Sequence, residues 1–144
     1  MFRRFLLLIA LALPASAQNF QLGTLLIGHP WSRPTAAGMP MGVAYLSITN
    51  KGKDSDALIA ASTPAAARVE MHRTAIADGV ARMRPVESVT IAPGTTTRIE
   101  PGGIHLMLVD LKAPLQAGAR IPLDLTFRTA GRVTVQVDVV AAAP

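Results

Sequence analysis

The chain has 144 residues, half of them hydrophobic, with a formal net charge of +5 and no cysteine. That length suits one domain able to bury a core without covalent staples. The missing thiol excludes disulfides, a cysteine nucleophile, lipid attachment through an N-terminal cysteine and any metal site built on thiolate.

The chain opens as a targeting segment. Arg3 and Arg4 form a charged region, residues 5–13 an apolar stretch, and Ala15, Ser16 and Ala17 a small-residue cleavage site. Nine apolar residues are too few to span a bilayer. Cleavage is expected after Ala17, so residues 1–17 are a secretory signal peptide and residues 18–144 a single domain delivered to a bacterial periplasm. The paired arginines resemble a twin-arginine signal, but the ordinary secretory route is the expectation. Loss of both arginines leaves a formal charge of +3. The remaining basic residues are scattered, without runs or interleaved aromatics, which excludes a nucleic-acid surface. No later segment is apolar and long enough to cross a membrane.

From there the pattern predicts strand after strand. Residues 20–27 and 43–49 are rich in β-branched and aromatic side chains, separated by the turn-forming residues 33–42. Trp31 and Tyr45 are expected in the core or at its edge. Residues 50–56 read as a polar loop, and residues 57–61 and 67–73 as strands around Thr63 and Pro64, with residues 65–67 offering at most one helical turn. Residues 104–111 form an apolar run preceded by Gly102 and Gly103. Ile121, Leu123, Leu125 and Phe127 alternate with polar partners, as do Val133, Val135, Val137 and Val139. Period two with one polar face marks a half-buried antiparallel strand. The residues alone imply a β-sandwich, with a Greek-key sandwich and a barrel both open.

The chemistry lies in residues 72–107. His72 is followed after ten residues by Met83, after twenty-one more by His105, and after one more by Met107. Singly, a strand methionine is core filler and a lone histidine a hydrogen-bonded surface residue. Together, two imidazoles and two thioethers are the donors a soft copper(I) ion favours. His105 and Met107, two apart, share one face of a strand. Asp78-Gly79 is a hairpin dipeptide. A two-residue loop there pairs Ala77 with Val80 and His72 with Pro85, making Met83 the diagonal same-face neighbour of His72. That register also sets Arg82 and Arg84 on the face of Val69 and Met71, which conflicts with a core there.

The His72/Met83/His105/Met107 spacing resembles the signature of the periplasmic copper chaperones called PCu(A)C. The words around it, "VEMHRT", "DGVARMRPV", "PGGIHLMLVDLKAPLQAG" and "WSRPTAAGMPMGVAYLSITN", are similar as well. One position departs: Arg73 follows the first histidine where the family often has methionine, and Met71 precedes it. The resemblance implies a cupredoxin-like Greek-key β-sandwich, copper(I) held by His72, Met83, His105 and Met107, and no catalytic turnover. It further implies delivery to the copper domain of cytochrome c oxidase subunit II, together with a Sco-type thiol protein.

Two other readings stand beside it. Glu70 shares a strand face with His72, so His72, His105 and Glu70 could hold zinc or copper(II); this leaves the spacing of both methionines unexplained. A metal-free secreted β-sandwich binding module is the second. His29 reads as a surface or loop-side residue. Met39 and Met41 read as loop filler in preference to a soft rim that hands copper in and out.

Overall fold

The computed structural model describes residues 18–144; the expected signal peptide, residues 1–17, lies outside them. Every regular element among the described residues is a strand: β1 (Asn19–Leu22), β2 (Leu25–Ser32), β3 (Met41–Asn50), β4 (Asp56–Ser62), β5 (Ala66–Ala77), β6 (Val80–Pro85), β7 (Val89–Ile91), β8 (Thr96–Ile99), β9 (Ile104–Leu111), β10 (Arg120–Phe127) and β11 (Gly131–Val139). They hydrogen-bond in the order β6-β5-β9-β3-β2-β11-β10-β4-β7, with β1 on β2 and β8 on β3. Only the β2–β11 pair is parallel among these ladders. The path folds on itself as an all-β, cupredoxin-like sandwich. Its core joins Leu46, Met71 and Leu106 from one half to Leu58, Leu123, Leu125, Val135 and Val137 from the other.

The alternation read in β10 and β11 is the alternation seen. Leu123, Leu125, Val135 and Val137 are wholly buried, and Asp124 and Thr134 pair across the outer face. Other expectations need correction. Residues 20–27 are not one strand: the chain reverses at Gly23, which has φ 57, and Leu22 pairs with Leu25. A glycine accepts that left-handed conformation without Cβ strain. Residues 65–67 make no helical turn but enter β5. Trp31 and Tyr45 are half-buried on the outer face, ring centroids 4.7 Å apart. The short strands β7 and β8 have too few residues to show a period.

Two features of this frame position the site. β3 shares one edge between two partners, pairing β9 through residues 41–44 and β8 through residues 46–49. The chain turns between them at residues 100–103, where Gly103 N–H donates to the Glu100 carbonyl. β9 therefore leaves β3 as it begins and takes β5 as its other neighbour. β5 in turn runs past the end of β9 into the hairpin with β6, every residue of which is exposed.

Candidate metal centre

The β5–β6 turn follows directly from its sequence. Asp78 and Gly79 both have positive φ, 53 and 74, as a two-residue hairpin turn of the primed type requires. Ala77 then pairs with Val80, Thr74 with Met83 and His72 with Pro85. Arg82 and Arg84 do lie on the face of Met71, yet no conflict arises. This part of the hairpin extends beyond the core, so those guanidinium groups stay in water.

On the other edge of β5, His72 pairs with His105 and Glu70 with Met107. Glu70, His72, His105 and Met107 therefore occupy one face of the β5–β9 ladder, opposite the face that sends Met71, Leu106 and Leu108 into the core. His105 and Met107 are only 3% and 6% exposed. The His72 side chain is 17% exposed. The two imidazole centroids stand 5.9 Å apart with their planes tilted by 44°. Met83 shares this face one rung farther along, at a backbone separation of about 7–8 Å from His72 for a diagonal neighbour, and is 59% exposed. Three of the four sequence-predicted residues thus converge in a sheltered cluster, and the fourth stands at its open rim.

The hydrogen bonds decide which nitrogens are free. His105 Nδ1–H donates to the Gly103 carbonyl at 3.1 Å, and the same oxygen accepts from Thr74 N–H at 3.1 Å. His72 Nε2–H donates to Glu70 Oε2 at 2.8 Å, while Glu70 Oε1 accepts from Arg68 Nε at 2.7 Å. What is left over is one nitrogen on each ring. His72 Nδ1 and His105 Nε2 are buried and have no hydrogen-bond partner among the described residues. Buried polar atoms are rarely orphaned without a functional reason. Each of these carries a lone pair once its sister nitrogen holds the proton. That is the arrangement of a metal-ligating histidine, whose second nitrogen is tied to a carboxylate or a backbone carbonyl.

Sequence reasoning placed Glu70 as a rival ligand; in the structure its carboxylate is engaged by Arg68 and His72. Its hydrogen bond from Arg68 and then that from His72 hold its carboxyl below the usual carboxylate range, so it accepts from His72 Nε2 as a charged group. Among the described residues no three of His, Asp and Glu converge as a metal-binding group. A three-ligand N/O zinc centre is therefore unsupported here. His29 is exposed, as expected, but sits within β2 at a bulge with φ 50. Met39, in the loop before β3, and Met41, its first residue, are both exposed, at 53% and 42%.

With this geometry in view, the likenesses to known proteins are consistent among themselves. Residues 25–139 match the family described as "LpqE-like". "Putative lipoprotein Lxx21020" of Leifsonia xyli subsp. xyli is 35% identical over 133 residues, covering 90% of this chain and 79% of that protein. The structure described as "Copper-bound PCuAC domain from PmoF2" superposes with a TM-score of 0.75 at 25% identity, covering 87% of this chain and 99% of that one. Cu(I)-bound DR1885 from Deinococcus radiodurans superposes with a TM-score of 0.60 at 24% identity, covering 88% of this chain and 83% of that one, which is a likeness of fold.

Proposed function

The chain belongs to the LpqE-like family and has the fold of PCuAC domains, and from that premise we propose that it is a copper(I)-binding metallochaperone of the bacterial periplasm. The observation that carries this reading is the pair of orphaned nitrogens, His72 Nδ1 and His105 Nε2, on directly opposed residues with Met107 beside them. Two imidazoles and thioether sulfur form a neutral, soft donor set. A monovalent soft ion is stabilised by such donors, whereas Zn²⁺ is better served by charged thiolate or carboxylate. His72, His105 and Met107 supply the sheltered part of the coordination, and the exposed Met83 closes it from the rim.

Function as a carrier follows from the same placement. The ion is cargo, held by donors on three strands, so it can be released one ligand at a time from the Met83 side. An acceptor offering cysteine thiolate binds copper(I) more strongly than a thioether does, and transfer to it runs downhill. By family likeness the acceptor is the copper domain of cytochrome c oxidase subunit II, with a Sco-type thiol protein as a second partner. Export is supported by the signal-like residues 1–17 and by the lipoprotein description of the family.

The test is competition and transfer in one series. Purified protein is titrated with copper(I) and with zinc against chelators of known affinity, then mixed with a reduced oxidase copper domain. The reading requires one copper(I) per chain, bound far more tightly than zinc, and transfer that persists while a chelator keeps free copper negligible. Equal or tighter zinc binding defeats the copper reading. Transfer that stops under chelation defeats the carrier reading and leaves storage.

A further inference from the structure

We propose that Met39 and Met41 form a second, weaker and solvent-facing site for a soft monovalent ion, through which copper(I) enters to reach Met107. The proposal rests on the copper reading above and adds two residues that the four-residue spacing does not contain.

The first support is burial. Of the six methionines, five lie among the described residues. Met71 and Met107 are 7% and 6% exposed, whereas Met39, Met41 and Met83 are 53%, 42% and 59% exposed. A methionine that fills space is buried, because its stabilising effect is proportional to the apolar area it removes from water. A single exposed apolar side chain needs no explanation. Two of them, separated only by Pro40, with Met41 opening the strand beside a buried thioether and Met39 in the loop that leads into it, do.

Register supplies the second support. Val43 pairs with Met107, and Met41 pairs with Val109. Side chains alternate along a strand, so Met41 shares the outer face with Val43 and Met107 and is the diagonal neighbour of Met107. Such neighbours stand about 7–8 Å apart at the backbone, within reach of long side chains. The segment is also held in place. The Pro40 carbonyl accepts from Leu111 N–H at 2.9 Å, and Met39 N–H donates to the Ala36 carbonyl at 3.2 Å. Pro40 itself has a fixed φ. Met41 is thus presented at the outer margin of the cluster, at the opposite end from Met83, with Met39 two residues before it on an anchored backbone.

Chemistry gives the direction. Two thioethers without imidazole make a weaker site than the inner set, and neither needs to lose a proton to bind. Met107 is nearly sealed from solvent, so an ion reaching it must come past an exposed neighbour. The step is a ligand exchange: a copper–sulfur bond to Met107 forms as the one to Met41 breaks, with no change in oxidation state and no proton moved.

Silver(I), a redox-inert soft ion, provides the probe, read by NMR of the protein carrying ¹³C-labelled methionine methyl groups. The first equivalent is expected to shift Met83 and Met107. A second equivalent, bound at least about tenfold more weakly, should shift Met39 and Met41. Met39→Leu/Met41→Leu keeps volume and apolarity, at a cost below about 1.5 kcal/mol per swap for such replacements. It should abolish the second equivalent and slow stopped-flow uptake of the first by about tenfold. Methyl groups of Met39 and Met41 that stay unshifted in excess silver, or a double variant with unchanged uptake, overturn the proposal. If those two shift while Met83 and Met107 do not, the outer site stands and the four-residue reading falls.

Discussion

Replacing Glu70 with alanine separates a residue that positions a ligand from one that is a ligand. In the structure Glu70 Oε2 accepts the His72 Nε2 proton at 2.8 Å and so leaves His72 Nδ1 with its lone pair. Glu70→Ala removes that acceptor without touching any of the four soft donors. Loss of an outer-shell partner of a metal-bound histidine typically costs about 10–100-fold in metal affinity, or about 1.4–2.7 kcal/mol. Global stability should hardly respond. Glu70 is 39% exposed at the side chain, and its contact with Arg68 is a surface ion pair, a class that contributes little to stability because water screens it. Glu70→Gln keeps a carbonyl acceptor at the same reach and should lose less affinity than alanine. The assay is chelator competition for copper(I) across wild type and both variants, with thermal melting alongside. Unchanged affinity in Glu70→Ala refutes the positioning argument. Abolished binding, together with disappearance of an oxygen donor from the X-ray absorption of bound copper, makes Glu70 a ligand instead.

Met107→Leu keeps a buried apolar volume and should cost less than about 1.5 kcal/mol in stability, while copper(I) retention drops clearly in the same competition assay. Binding should also weaken on acidification, because imidazole must be unprotonated to coordinate; affinity that is flat from neutral pH to pH 5 counts against histidine ligation. Asp56 gives a prediction about the frame alone. Burial works against its carboxylate, but backbone N–H groups of Thr129, Ala57 and Ala130 donate to it and outweigh that effect, holding its pKa below the ordinary 3.8. Its contribution is therefore present above the unfolded value and lost as pH falls through the depressed folded one. Asp56→Ala should cost about 2 kcal/mol at neutral pH, seen in urea melts, and the gap from wild type should close in strong acid.

What could be read from the sequence was whatever one local rule determines. Asp78-Gly79 determines its own turn, and the turn sets the register of β5 and β6 that brings Met83 beside His72. Gly102 and Gly103 ahead of an apolar run mark β9 to the residue, and alternation in β10 and β11 marks the core. What could not be read depends on neighbours distant in sequence. Gly23 breaks residues 20–27 into two strands although their composition is uniform. Trp31 and Tyr45 are large enough to belong to a core, yet strand parity sends them to the outer face. The role of Glu70 had a legible signal, since a carboxylate two residues from a strand histidine shares its face. That it accepts a hydrogen bond from the ring is visible only in which ring nitrogen faces it. Met39 and Met41 looked like filler because sequence gives no exposure, and only pairing with β9 sets Met41 beside Met107.

Extended X-ray absorption at the copper edge, on protein loaded with one equivalent of copper(I) and on His105→Ala and Met107→Leu variants, tests the central claim most directly. The account predicts a mixed shell of imidazole nitrogen and thioether sulfur in wild type, losing nitrogen in the first variant and sulfur in the second. A shell of nitrogen and oxygen alone, unchanged by Met107→Leu, would contradict it.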